Sequence, residues 1–180
     1  MEQVINRTAE NWLLVWLLAI SLLAPAWAEG YRISAEDVLR VTVFDEPDLS
    51  VEEARVATDG TIAMPLIGEV RVEGMTAGEI ARRVEALLAD GYLKKPRVSV
   101  SIYEYRQFYV HGEVEKPGGY SYQDGLTVQR AIVLAGGFTE RASESKITLA
   151  REGEDDKGSP VSLNDLVNPG DVISVGESFF

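Results

Sequence analysis

The chain has 180 residues, 46% hydrophobic and 26% charged, which are the proportions of an ordinary globular protein. Its formal charge of −12 provides no general electrostatic footprint for nucleic acid or anionic lipid, and reads first as solubility. With no cysteine and one histidine, the sequence excludes disulfides, thiolate metal sites and histidine-rich metal sites.

Residues 1–28 read as a secretory leader. Trp12 to Leu23 is an unbroken apolar run, and Ala26-Trp27-Ala28 is a small-residue cleavage site that predicts a cut after Ala28. The run is shorter than the about 20 residues that a membrane span needs. Glu2 and Glu10 accompany Arg7 in the segment before it, so an uncleaved anchor is the alternative. Removing 28 residues from 180 leaves 152, enough for one domain or two small lobes.

Val38 to Phe44 is a β-rich run, closed by the loop Asp45-Glu46-Pro47-Asp48. Ala54–Thr58 and Thr61–Met64 flank Asp59-Gly60, which predicts a two-residue hairpin. Pro65 marks an edge or a bend, and Glu69–Val72 alternates as a strand. Thr76-Ala77-Gly78-Glu79 is a capping box. Ile80, Val84, Leu87 and Leu88 then fall on one helical face, Arg82 and Arg83 lie outside it, and Gly91 stops the helix. Arg97 to Tyr105 reads as a long strand, with Val98, Val100 and Ile102 pointing one way.

Tyr109 and Val110 open the next strand. Pro117-Gly118 predicts a type II turn with positive φ at the glycine, and Gly119 to Tyr122 returns. Thr127 is the N-cap of a short helix with Val128, Ala131, Ile132 and Ala135 inward, stopped by Gly136-Gly137. Lys146–Arg151 is a strand, residues 152–160 form a polar loop with a mobile tip, and Asn164–Val167 is a short turn. Asn168-Pro169-Gly170-Asp171 turns the chain into a closing strand, Val172–Val175. Ala35–Leu39 and Pro169–Ile173 share a pattern, and both fit turns entering strands.

Val110-His111-Gly112-Glu113-Val114, Pro117-Gly118-Gly119-Tyr120 and Leu126-Thr127-Val128 through Ala135-Gly136-Gly137-Phe138 resemble the soluble-ligand-binding β-grasp module of polysaccharide export proteins. Tyr31 to Phe44, Thr58 to Val70 and Pro169 to Val175 resemble the opening, middle and close of the same family, in the same order. The resemblance implies an α+β fold, with a small mixed export domain over residues 29–105 and a β-grasp module over 106–180. It implies a periplasmic component of a capsular or exopolysaccharide export machine, associated with the outer membrane. Such a component is a homo-oligomeric conduit or adaptor for polysaccharide. Its other partners would be an inner-membrane co-polymerase or chain-length protein and a separate outer-membrane barrel, with no nucleic acid and no cofactor. Pore formers of the family carry a later amphipathic helix, and many relatives carry a lipidated cysteine. Neither is found in this sequence, so a short form lacking the membrane helix and the lipid anchor is expected.

Covalent chemistry is weakly signalled, and a non-enzyme is expected. Gly-x-Ser-x-Gly, His-Glu-x-x-His and phosphate-loop motifs are absent from the sequence. Glu113 with Glu115, and Asp45 with Glu46 and Asp48, are the carboxylate groupings, and a glycosidase needs two carboxyls about 5–9 Å apart. An ordinary solvated acidic face is the preferred reading, because nothing in the sequence marks either carboxyl as buried. Tyr103, Tyr105, Phe108, Tyr109, Tyr120 and Tyr122 gather aromatics near one hairpin, which serves either sugar stacking or strand packing. Arg106, Tyr109, His111, Lys116, Tyr120 and Arg130 are therefore the candidate glycan or partner contacts. A periplasmic glycan-binding or regulatory protein that does not conduct polymer is the rival function.

Overall fold

The structure, a computed structural model, describes residues 30–152 and 158–178. The predicted leader with its cleavage site, and most of the polar loop tip, lie outside the described residues. The fold is α+β and holds two hydrophobic cores in succession along the chain.

The first core is built from β1 (Val38–Val43), β2 (Val51–Arg55), β3 (Thr61–Met64), β4 (Gly68–Arg71), α1 (Ala77–Ala89) and β5 (Val98–Glu104). β1 is the centre of an antiparallel sheet ordered β2-β1-β5, and β3 pairs with β4 as a separate ribbon. Leu39, Val41 and Val43 face inward from β1, where they meet Ile80, Val84 and Leu88 of α1. The capping box forms as expected. Glu79 N–H donates to Thr76 Oγ1 at 3.4 Å, and Thr76 N–H donates to Glu79 Oε2 at 2.8 Å. These backbone and hydroxyl donors hold the Glu79 carboxyl below the usual range. Leu87 is a correction: it is 37% exposed, because it lies at the rim of the stripe that Ile80, Val84 and Leu88 define.

Asp59-Gly60 does turn the chain, with Gly60 at φ 78°, but no β2–β3 ladder follows. Ala57 N–H donates to Thr61 O at 2.8 Å, after which the strands part. β2 is taken by β1, and Pro65-Leu66-Ile67 folds β3 back onto β4 instead.

The second core is built from β6 (Phe108–Gly112), β7 (Gly118–Tyr120), α2 (Val128–Leu134), β8 (Ala142–Ala150), β9 (Ser159–Pro160) and β10 (Val172–Glu177). Their sheet runs β7-β6-β10-β8-β9, with β6 and β10 parallel and the other neighbours antiparallel. Phe108, Val110, Ile173, Val175, Ile147 and Leu149 form its inner face, which α2 covers with Val128, Ala131 and Ile132. Thr127 caps α2, and Gly136 and Gly137 end it at φ 87° and 94°.

The predicted Pro117-Gly118 type II turn is also corrected. Gly118 already belongs to β7, and the positive φ lies upstream at Gly112 (86°). A Cβ on Gly112 would stand 2.2 Å from Val175 O, so this glycine lets β6 leave β10 closely. The chain then crosses to the end of α2. Val114 bridges Phe138, and Lys116 N–H donates to Ala135 O at 2.8 Å. The tertiary pairing with α2 overrides the local turn signal.

Candidate functional site

Arg106 sits where the first core's last strand leads into the second core's first. Its backbone N–H donates to Asp37 Oδ1 at 2.9 Å. Its guanidinium donates to the Tyr31 hydroxyl at 2.5 Å, stands 3.4 Å from Asp37 Oδ2, and pairs with Glu152. The Arg106 side chain is only 13% exposed, and Asp37 is fully buried. The structure thus places this candidate contact inside a joint rather than on a binding surface. A buried carboxylate and a guanidinium compensate one another here, and removal of either leaves a desolvated charge. Tyr31 packs edge-on to Tyr105 at 5.0 Å, and Tyr105 packs edge-on to Tyr122 at 5.1 Å, so an aromatic chain runs beside the joint. Burial, reinforced by the Asp37 carboxylate, pushes the Tyr31 hydroxyl far above its ordinary pKa. Burial and the nearby Asp124 push Tyr105 up to about 12.

Tyr109 and His111 are exposed on the outer face of β6. Register places Gly119, Tyr109, Val172 and Ala150 in one cross-sheet row, and His111, Ser174, Thr148 and Pro160 in the next. Neither row contains a carboxylate. Tyr109 lies across Gly119, where an added Cβ would approach its ring to 3.0 Å. Tyr120 is different, since it packs against Phe108 and its hydroxyl donates to Lys116 O. Lys116 is exposed near the end of α2.

Arg130 is exposed on α2 and, with Gln123, Leu126, Gln129, Val133 and Leu134, lines a shallow groove of about 340 Å³. Val133 and Leu134 are 67% and 50% exposed. Helical spacing puts them opposite the buried stripe, and large exposed aliphatics side by side mark an interaction surface. The sequence reading assigned the inward face of α2 correctly and did not weigh the outward one. Val133-Leu134 was nonetheless visible as apolar residues off the buried stripe.

One member of each carboxylate grouping, Glu113 and Asp45, is engaged by neighbouring side chains. Glu113 accepts from Thr139 Oγ1 at 2.6 Å and from Arg141 at 3.1 Å. Glu113 and Glu115 lie beyond β6, on either side of the Val114 bridge, rather than on one strand face. Asp45 pairs with Arg97 at 2.8 Å. Among the described residues no cluster of His, Asp and Glu is arranged to hold a metal ion, and no helix is long and apolar enough to cross a membrane.

Two family models match in succession. The polysaccharide biosynthesis/export protein model matches residues 26–103, and the SLBB domain model matches residues 107–162. The exopolysaccharide production protein ExoF of Rhizobium meliloti is 33% identical over 146 residues, covering 75% of this chain and 34% of the relative. The EPS I polysaccharide export outer membrane protein EpsA of Ralstonia nicotianae is 30% identical over 178 residues, covering 84% of this chain and 46% of the relative. The polysialic acid transport protein KpsD of Escherichia coli is 35% identical over 68 residues, 37% of this chain and 12% of the relative. The chain thus spans less than half the length of these curated relatives.

Proposed function

The chain belongs to the polysaccharide biosynthesis/export protein family, and from that premise we propose that it is a periplasmic component of a capsular or exopolysaccharide export machine. It acts as an oligomeric conduit or adaptor that passes polymer towards the outer membrane, delivered by a leader cleaved after Ala28. Its partners are the polysaccharide, further copies of itself, an inner-membrane co-polymerase or chain-length protein, and a separate outer-membrane exit. Its work is geometric, without a covalent step.

The observation that carries this reading is the order of the two matches: an export domain followed directly by an SLBB domain in one chain. The names of the relatives agree, as they describe exopolysaccharide production, export at an outer membrane and polysialic acid transport. Two surface features support protein and polymer contact. The outward face of α2, with Val133, Leu134 and Arg130, supports docking of another protein surface. The two carboxylate-free cross-sheet rows bearing Tyr109 and His111 support contact with polymer.

A clean deletion tests the reading. Secreted polysaccharide is compared with polymer retained inside the cell. Loss outside, with retention inside or a shutdown of synthesis, supports export. Normal secretion with altered polymer amount or length instead favours a glycan-binding or regulatory protein.

A further inference from the structure

The outer face of the β1–β5 ribbon carries a pattern that the export reading does not use. Arg40, Thr42 and Phe44 alternate outward along β1 and just past its end. Arg97, Ser99, Ser101 and Tyr103 alternate outward along β5 and just before its start. Register sets Thr42 opposite Ser99 and Arg40 opposite Ser101, and Phe44 N–H donates to Arg97 O at 3.0 Å. The face therefore has an aromatic residue near each end and a hydroxyl floor between them.

Both aromatics are 49% exposed. Each is matched with a guanidinium: Arg40 lies 4.8 Å from the Tyr103 ring centroid, and Arg97 lies 5.6 Å from that of Phe44. Each guanidinium is held in turn by a carboxylate, Arg40 by Glu52 at 2.6 Å and Arg97 by Asp45 at 2.8 Å. The rings and their polar neighbours are thus fixed before any ligand arrives, which lowers the entropy that binding must overcome. At the Phe44 end the face opens into a groove of about 350 Å³ that includes Glu46 and Ser50.

We infer that this strip binds a run of pyranose rings from a neutral polysaccharide. An exposed ring accepts the apolar C–H face of a sugar, and neighbouring Arg–carboxylate pairs and hydroxyls can exchange hydrogen bonds with sugar hydroxyls. The strand rise of about 3.3 Å puts the six steps from the Phe44 level to Tyr103 at about 20 Å, long enough for several rings in an extended chain. Charge selects the class. Asp45, Glu46 and Glu52 outnumber Arg40 and Arg97, so the strip repels an anionic polymer. That the sugar belongs to the exported polymer rests on the function proposed above. That the strip binds a neutral glycan rests on its own geometry.

The test is isothermal titration of the protein, purified from its producing cells, with cellohexaose and with hexagalacturonate as the neutral and anionic probes. Cellohexaose is expected to bind, and hexagalacturonate to bind at least tenfold more weakly. The double variant Phe44→Ala/Tyr103→Ala is expected to lose at least tenfold in cellohexaose affinity, while Tyr103→Phe keeps it. Both positions are exposed, so an unchanged melting temperature separates lost contact from lost fold. Absence of cellohexaose binding, unchanged affinity in the double variant, or equal binding of the anionic probe overturns the inference. Secretion in the deletion strain is scored separately. Blocked secretion with no cellohexaose binding leaves the export reading standing and removes the strip, whereas binding with normal secretion does the reverse.

Discussion

Asp37 and Asp171 occupy the same position in two copies of one turn. Ser34 N–H donates to Asp37 Oδ2 at 2.8 Å, and Asn168 N–H donates to Asp171 Oδ2 at 2.8 Å. In return Asp37 N–H reaches Ser34 O, and Asp171 N–H reaches Asn168 O. Each aspartate then sends its chain into a strand, β1 or β10, and the two are the buried polar residues among those described. Their wider surroundings differ. Asp37 also receives Tyr31 and the Arg106 backbone, whereas Asp171 has the half-exposed Arg151 at 3.8 Å. Asp37→Ala strips a buried guanidinium of its partner and is expected to cost about 3–5 kcal/mol. Asp171→Ala chiefly unties a turn and is expected to cost about 1–3 kcal/mol. Urea midpoints of the two variants check this, and equal losses would mean that the Arg106 joint adds nothing.

The third residue of the same turn provides a second comparison. Both copies need a left-handed backbone there, and one uses Glu36 (φ 71°) where the other uses Gly170 (φ 86°). A side chain in that region costs roughly 1–2 kcal/mol. Glu36→Gly relieves the strain and also frees the unfolded chain, so its net effect is expected within about 1 kcal/mol, on the stabilising side. Gly170→Ala adds strain and a clash, because a Cβ there stands 2.7 Å from Arg106 Nε. Its cost is expected to be about 2–3 kcal/mol by thermal or urea unfolding. A neutral Gly170→Ala would show that Arg106 can leave the joint freely.

What was legible in the sequence was local and periodic. The Thr76–Glu79 box, the Thr127 cap and the inward positions of both helices depend on residues within four of one another, and the structure has them as read except for Leu87 at the rim of its stripe. The two misread turns were decided at long range. Asp59-Gly60 has the chemistry of a hairpin, yet β1 outcompetes β3 for β2. Pro117-Gly118 has the chemistry of a turn, yet α2 captures the preceding segment through Val114, Glu115 and Lys116. The candidate contacts divide in the same way. Tyr109 and His111 follow from strand alternation and are exposed, whereas the burial of Arg106 depends on Asp37, 69 positions away. Alternation also carried the signal for Ser99, Ser101 and Tyr103, but their register with Arg40 and Thr42 needed the sheet.

Gly112 and Gly118 test the corrected turn directly. Gly112 has φ 86° and no room for a Cβ beside Val175 O, whereas Gly118 lies in β7 facing open space. Gly112→Ala is expected to lose about 3 kcal/mol or more, since backbone must move on either β6 or β10. Gly118→Ala is expected to be neutral or to stabilise by up to about 1 kcal/mol through the unfolded state. Denaturant midpoints decide between the two assignments, because a type II turn at Pro117-Gly118 would reverse the order.

Tyrosine ionisation reports on the joint without a substitution in it. The chain has seven tyrosines, all within the described residues. Tyr105 is pushed up to about 12 by burial and Asp124, and Tyr31 is pushed higher by burial and the Asp37 carboxylate that its hydroxyl contacts. In the unfolded chain both ionise near about 10. A folded pKa above the unfolded one means that stability is fully present below about pH 10 and is lost as pH rises through and beyond that value, since the unfolded state releases its protons first. Tyrosinate absorbance is therefore expected to show Tyr105 ionising well above pH 10, and Tyr31 only as the protein unfolds. Tyr31→Phe should remove the last-titrating group and flatten the fall in stability above pH 10, while lowering stability at neutral pH because Arg106 and Asp37 lose their shared hydroxyl. A folded protein in which Tyr31 ionises near its ordinary value of about 10 would show that the Tyr31–Asp37–Arg106 joint is open to water, and the cost assigned to Asp37→Ala would fall with it.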